Sequence, residues 1–101
     1  MAEKKSVMDE LPVFHKKITV SGRVQGVGFR HTARIVAEQL NICGLVRNMP
    51  DGSVFIEAEG TLPQLESFIN WCYEGPPHAH VRHVAVIDGM VYGYTDFQIT
   101  R

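Results

Sequence analysis

Ser21-Gly22-Arg23-Val24-Gln25-Gly26-Val27-Gly28-Phe29-Arg30 is the point where the chain changes period. Before it, Phe14, Ile18 and Val20 share one parity, while His15, Lys17, Thr19 and Ser21 take the other. That alternation predicts a half-buried strand from Phe14 to Ser21. After it, Phe29, Ala33, Val36 and Leu40 recur at steps of four, three and four, the apolar stripe of a helix. The stretch between holds three glycines and no carboxylate. A glycine-rich turn that opens a helix leaves backbone N–H groups without helical acceptors. Those donors and the positive end of the helix dipole favour an anion. Arg30, in the first helical turn, adds a planar fork that matches phosphate or carboxylate. The plainer reading is an ordinary strand-to-helix turn with a surface arginine, and spacing alone leaves both open.

Beyond the loop, Cys43 to Met49 reads as a second strand. Met49-Pro50-Asp51-Gly52 is a tight turn, with proline presetting φ and glycine taking the left-handed corner. Val54, Ile56 and Ala58 alternate with Ser53, Phe55, Glu57 and Glu59, which predicts the hairpin's return strand. Thr61 and Gln64 have the spacing of a capping box. Leu62, Leu65, Ile69 and Cys72 then define a helical face that ends at Gly75-Pro76-Pro77. Val84 and Val86 mark a fourth strand, and Phe97 and Ile99 a last one. This order predicts an α+β fold of the ferredoxin-like βαββαβ kind. Its antiparallel sheet carries two helices on one face and a short closing C-terminal strand.

Gly22-Arg-Val-Gln-Gly-Val-Gly-Phe-Arg30 resembles the signature loop of the acylphosphatase family. Gly44-Leu-Val-Arg-Asn48, followed by Asp51-Gly52 and Val54, resembles the family's second signature. The segment Gly75-Pro76-Pro77 with Ala79, Val81 and Val84, and the closing Phe97, Ile99 and Arg101, resemble its later parts. The family usually has tryptophan where this chain has Leu45, a position that packs. The resemblance implies the same ferredoxin-like fold and hydrolysis of the carboxyl–phosphate anhydride of small acyl phosphates by direct water attack. It implies that Arg30 and the backbone of Gly22, Arg23, Val24, Gln25, Gly26, Val27, Gly28 and Phe29 bind the substrate's phosphate. Asn48 would orient the attacking water, and the substrate's own phosphate would take its proton.

Topology brings the two site residues together. A right-handed crossover returns the second strand parallel to the first, so Arg30 and Asn48 share one end of the sheet. Without the family, Asn48 reads as a strand-end turn residue. The loop lacks cysteine and aspartate, Ser21 has no evident His–carboxylate partner, and no GKS or GKT ending follows. Such a site suits a reaction whose leaving group is already a stable anion, driven by positioning and charge stabilisation. No cofactor is expected, and no metal: His78 and His80 share a face near His83, but a third ligand is not evident. His31, next to Arg30, points elsewhere on a helix and reads as a surface residue.

A chain of 101 residues is long enough for one domain with its own core. The expected division is a polar tail over 1–12 and a single domain over 13–101. The tail lacks the apolar centre of a signal peptide, which points to the cytoplasm. No membrane association is expected, since no apolar run would span a bilayer. A formal net charge of −1 does not suggest a nucleic-acid partner. The alternative is a non-catalytic anion- or nucleic-acid-binding module of the same fold. Against base stacking, Ser53 to Glu59 offers one aromatic, Phe55, beside two acids. The remaining expectations are a monomer, two free thiols at Cys43 and Cys72, and inorganic phosphate as product and competitive inhibitor.

Overall fold

The computed structural model describes residues 11–101. The first ten residues of the expected tail lie outside the described residues. Five strands and two helices follow in the order β1 (Phe14–Arg23), α1 (Phe29–Gln39), β2 (Cys43–Asn48), β3 (Val54–Gly60), α2 (Leu62–Glu74), β4 (His80–Gly89) and β5 (Phe97–Thr100). The sheet order is β4-β1-β3-β2-β5, the ferredoxin-like arrangement with one added edge strand.

Alternation in β1 is realised as pairing. Ile18 faces Ile56 of β3 on one side and Val86 of β4 on the other, and Val20 faces Val54 and Val84. Apart from Val86, which is partly buried, these residues are buried against both helices, with Phe29, Ala33 and Ala37 from α1 and Leu65, Phe68 and Cys72 from α2. Each large apolar side chain buried in full contributes about 1.5–3 kcal/mol. Phe68 ties the layer together, packing at 6.1 Å from both Trp71 and Phe97.

Three boundaries differ from expectation. First, β1 runs on to Arg23, with a bulge between Ser21 and Gly22. A Cβ on Gly22 would lie 2.2 Å from the His80 carbonyl oxygen, so β4's backbone excludes any side chain there. Second, the buried face of α2 is centred on Leu65, Phe68 and Cys72, whereas Leu62 is 50% exposed. Leu62 borders two surface hollows, one with Leu11, Pro12 and Phe14 and one with Lys16, Leu65 and Ile69. Third, the sheet is mixed. β4 runs down from the loop end, the chain crosses the far end once, and β5 must climb parallel to β2. Cys43 and Cys72 are free, and Cys72 is buried. No helix among the described residues is long and apolar enough to cross a membrane.

Candidate active site

The loop after β1 closes onto α1 through Gly28, whose backbone is left-handed at φ 80 and ψ 19. Gly26 is also left-handed, at φ 73, and a Cβ at either glycine would meet nothing within 4 Å. These two glycines serve the turn itself, unlike Gly22. Gly28 caps α1 without a side chain, and the first turn of α1 contains no acidic residue. The N-terminal amides of α1 are therefore left to an external acceptor.

A pocket of about 190 Å³ opens at this point. Pockets for drug-sized ligands run from about 300 Å³ upward, so this one suits a small group. The loop contributes Val24, Gly26 and Gly28, and α1 contributes Phe29, Arg30 and His31. Asn48 enters from the end of β2 and Ile99 from β5. Arg30 and Asn48 thus meet in one concavity, together with part of the glycine loop. Gly22 and Arg23 instead lie in β1, paired with β4. Gln25 points across to the β2–β3 turn, donating from Nε2 to the carbonyls of Met49 at 2.8 Å and Ser53 at 2.9 Å. That side chain ties the loop to the turn that follows Asn48. Within the turn, Asp51 Oδ1 accepts from Ser53 N at 2.9 Å and Ser53 Oγ at 2.6 Å. Those bonds hold the Asp51 carboxyl below its ordinary value.

Two polar groups in the pocket keep hydrogen-bonding capacity to spare. Arg30 donates from Nη1 to the Thr100 carbonyl at 3.3 Å, which anchors the guanidinium and leaves its other N–H groups for a ligand. Asn48 Oδ1 is buried and has no hydrogen-bond partner among the described residues. A buried amide oxygen without a donor is costly, which makes it a ready acceptor for a water or ligand O–H. None of the lining residues is an acid, a serine or a cysteine. An anion entering here meets donors and no opposing carboxylate.

Sequence reasoning missed three parts of this site. His31 lines the pocket as well as being exposed, because the first helical turn stands at the pocket's rim. Ile99 and the Thr100 carbonyl arrive only because β5 pairs parallel with β2. Alternation of Phe97 and Ile99 does signal that both face the helices, but not which strand they pair with. His78, His80 and His83 form no group of three ligands able to hold a metal among the described residues.

Known proteins resemble this chain in sequence and in fold. The family model for acylphosphatase matches residues 16–99. An acylphosphatase from Thermotoga petrophila is 52% identical over 83 residues, covering 82% of this chain and 92% of the relative. The solved structure of an acylphosphatase from Coxiella burnetii superposes with a TM-score of 0.86 at 34% identity, covering 95% of this chain and all of that one. The crystal structure of acylphosphatase from Bacillus subtilis gives a TM-score of 0.85 at 36% identity, covering 87% of this chain and 99% of that one. With the family model matching most of the chain and named relatives close in sequence and fold, this chain belongs to the acylphosphatase family, enzymes that hydrolyse acyl phosphates.

Proposed function

We propose that Arg30 and the backbone N–H groups of the loop and first helical turn hold the phosphoryl group, while Asn48 places the attacking water. The observation that carries this reading is the convergence of three uncommitted features on one acid-free pocket. They are the uncapped N-terminus of α1, the anchored guanidinium of Arg30 and the unpartnered Asn48 Oδ1. A water that donates one O–H to Oδ1 keeps a lone pair aimed at phosphorus. The phosphoryl oxygens gather charge as the bond to the leaving carboxylate stretches, and the fixed donors stabilise that charge without rearranging. The departing carboxylate is a stable anion, so the step proceeds without a general acid. The water's proton passes to the substrate's phosphate.

In the same reading the protein acts as a cytoplasmic monomer on small acyl phosphates, with residues 13–101 as its single domain. Inorganic phosphate leaves last and inhibits competitively. The test is turnover of acetyl phosphate in water enriched in oxygen-18, with a phosphate monoester alongside. Attack at phosphorus puts the label in phosphate and none in acetate, and the monoester stays intact. Label in acetate would overturn the mechanism, and an unreactive acetyl phosphate would overturn the assigned roles.

A further inference from the structure

The end of the sheet opposite the pocket is built around a buried carboxylate. Glu59, on the helix-free face of β3, is 4% exposed. Its Oε2 meets His15 Nδ1 at 2.6 Å and accepts from the Tyr92 amide at 2.5 Å. Its Oε1 accepts from the amides of Gly93 and Tyr94, each at 3.0 Å. His15 itself is 3% exposed, reaches Glu57 Oε1 with Nε2 at 3.0 Å and stacks on Tyr94 with centroids 6.1 Å apart.

These contacts fall on the segment that carries the chain from β4 at one edge to β5 at the other. Met90, Val91 and Tyr92 are 90%, 53% and 77% exposed, so the crossover has little apolar anchorage. Among the described residues, its other backbone tie is the Gly44 amide donating to the Asp96 carbonyl at 2.8 Å. The crossover delivers a strand of only four residues. That strand supplies Ile99 to the pocket wall and the carbonyl that anchors Arg30.

We infer that Glu59 is a positioning residue for phosphate binding. By clasping the crossover through three successive amides it holds β5 at the height where the Thr100 carbonyl orients Arg30. The inference rests on the role proposed for Arg30. Loss of Glu59 also takes the partner of buried His15 on β1, whereas strain at Gly93 spares that pair, and in both cases the short strand is free to slide or fray. A less fixed Arg30 grips the phosphoryl group less well before and during the reaction, while the backbone amides that meet the charge gained in the transition state stay in place, so affinity falls and the chemical step is spared.

Two variants break the clasp from opposite sides. Glu59→Ala removes the acceptor. Gly93→Ala strains the crossover at φ 94, where an added Cβ touches nothing within 4 Å, so the sheet is not disturbed. In both, KM for acetyl phosphate and the dissociation constant of inorganic phosphate should rise roughly threefold to tenfold, with kcat within about twofold. Amide exchange should quicken at Tyr92–Tyr94 and also at Ile99 and Thr100, with Ile56 unchanged. Faster exchange confined to Tyr92–Tyr94, with KM and phosphate affinity unchanged, would overturn the inference. Phosphate titration in an Arg30→Ala background separates the two levels. Glu59→Ala should add nothing there. An equal further loss would show that Glu59 acts elsewhere. If Arg30→Ala alone leaves phosphate affinity intact, the role of Arg30 falls, and the inference falls with it.

Discussion

The two helices begin in opposite ways. At the start of α2, Thr61 Oγ1 accepts from the Gln64 amide at 3.4 Å, and Gln64 Oε1 accepts from the Thr61 amide at 2.8 Å. Each partner satisfies the other, and the terminus is closed. The start of α1 has glycine at the cap, no side-chain acceptor and no acid in its first turn. The same contrast runs through the sheet ends on which these helices stand. Near α2, the Glu59 carboxylate is filled by His15 and three amides. Near α1, Asn48 Oδ1 is buried with no partner among the described residues. One end closes its polar groups on one another, the Glu59 clasp among them, and the other keeps them open for a ligand. A buried polar atom without a partner at a strand end, beside an uncapped helix start, marks a binding site.

The sharpest way to break this contrast is to remove Arg30. Charge-assisted hydrogen bonds are worth about 1.5–3 kcal/mol each, and a fork makes two. Arg30→Ala should cut kcat/KM by about two to four orders of magnitude and weaken phosphate inhibition, with circular dichroism unchanged. Arg30→Lys should recover little, because a point charge does not copy the fork. Near-normal turnover in a folded Arg30→Ala protein would show that the open end does not bind through this residue.

Asn48 comes next. A nucleophile misplaced by about 1 Å costs on the order of a hundredfold in rate. Asn48→Ala should lose kcat on that scale and leave the phosphate inhibition constant nearly unchanged. Asn48→Asp should lose both, since its charge repels the bound anion. Measuring both constants for both variants separates a water-placing residue from a phosphate ligand.

The closed end should respond in stability instead. Loss of an N-cap costs about 1 kcal/mol. Thr61→Ala should therefore lower Tm by roughly 4–8 °C and leave kcat and KM unaltered. A change in turnover without a change in Tm would reverse the division of labour between the two ends.

A smaller effect concerns pH. Burial pushes the Glu59 carboxyl up, but hydrogen bonds from His15, Tyr92, Gly93 and Tyr94 outweigh it and hold the group below its ordinary value. A depressed carboxylate contributes stability above the unfolded value, about 4.3. That contribution is lost as pH falls through the lower folded value. Denaturant midpoints of the wild type and Glu59→Gln should thus differ most at neutral pH and converge on acidification. A gap that widens in acid would show the opposite sign. The smallest effect expected is none: exhaustive chelation should leave turnover unchanged, and rescue by a divalent ion would give the pocket a metal.

Much of this was legible in the chain itself, wherever a structure is specified within a few neighbouring residues. The period change at Gly22–Arg30, the alternation of Ile18 and Val20, the Pro50–Gly52 turn and the Thr61–Gln64 box each declare an element locally. Once their order is known, chain topology alone puts Arg30 and Asn48 at one end. What only the tertiary structure decided depends on which edges and faces meet. Gly22 is required by a backbone in β4, and Leu62, on the apolar stripe of α2, is left half exposed. Glu59, by its alternation a solvent-facing acid, is buried under a crossover more than thirty residues later in the chain. The carbonyl that anchors Arg30 lies 70 residues away. Hydrophobic period reports which side of an element is buried, because that follows from helix and strand geometry. It carries no information about which polar groups from distant segments will face one another, since their partners are chosen by packing after the elements have formed.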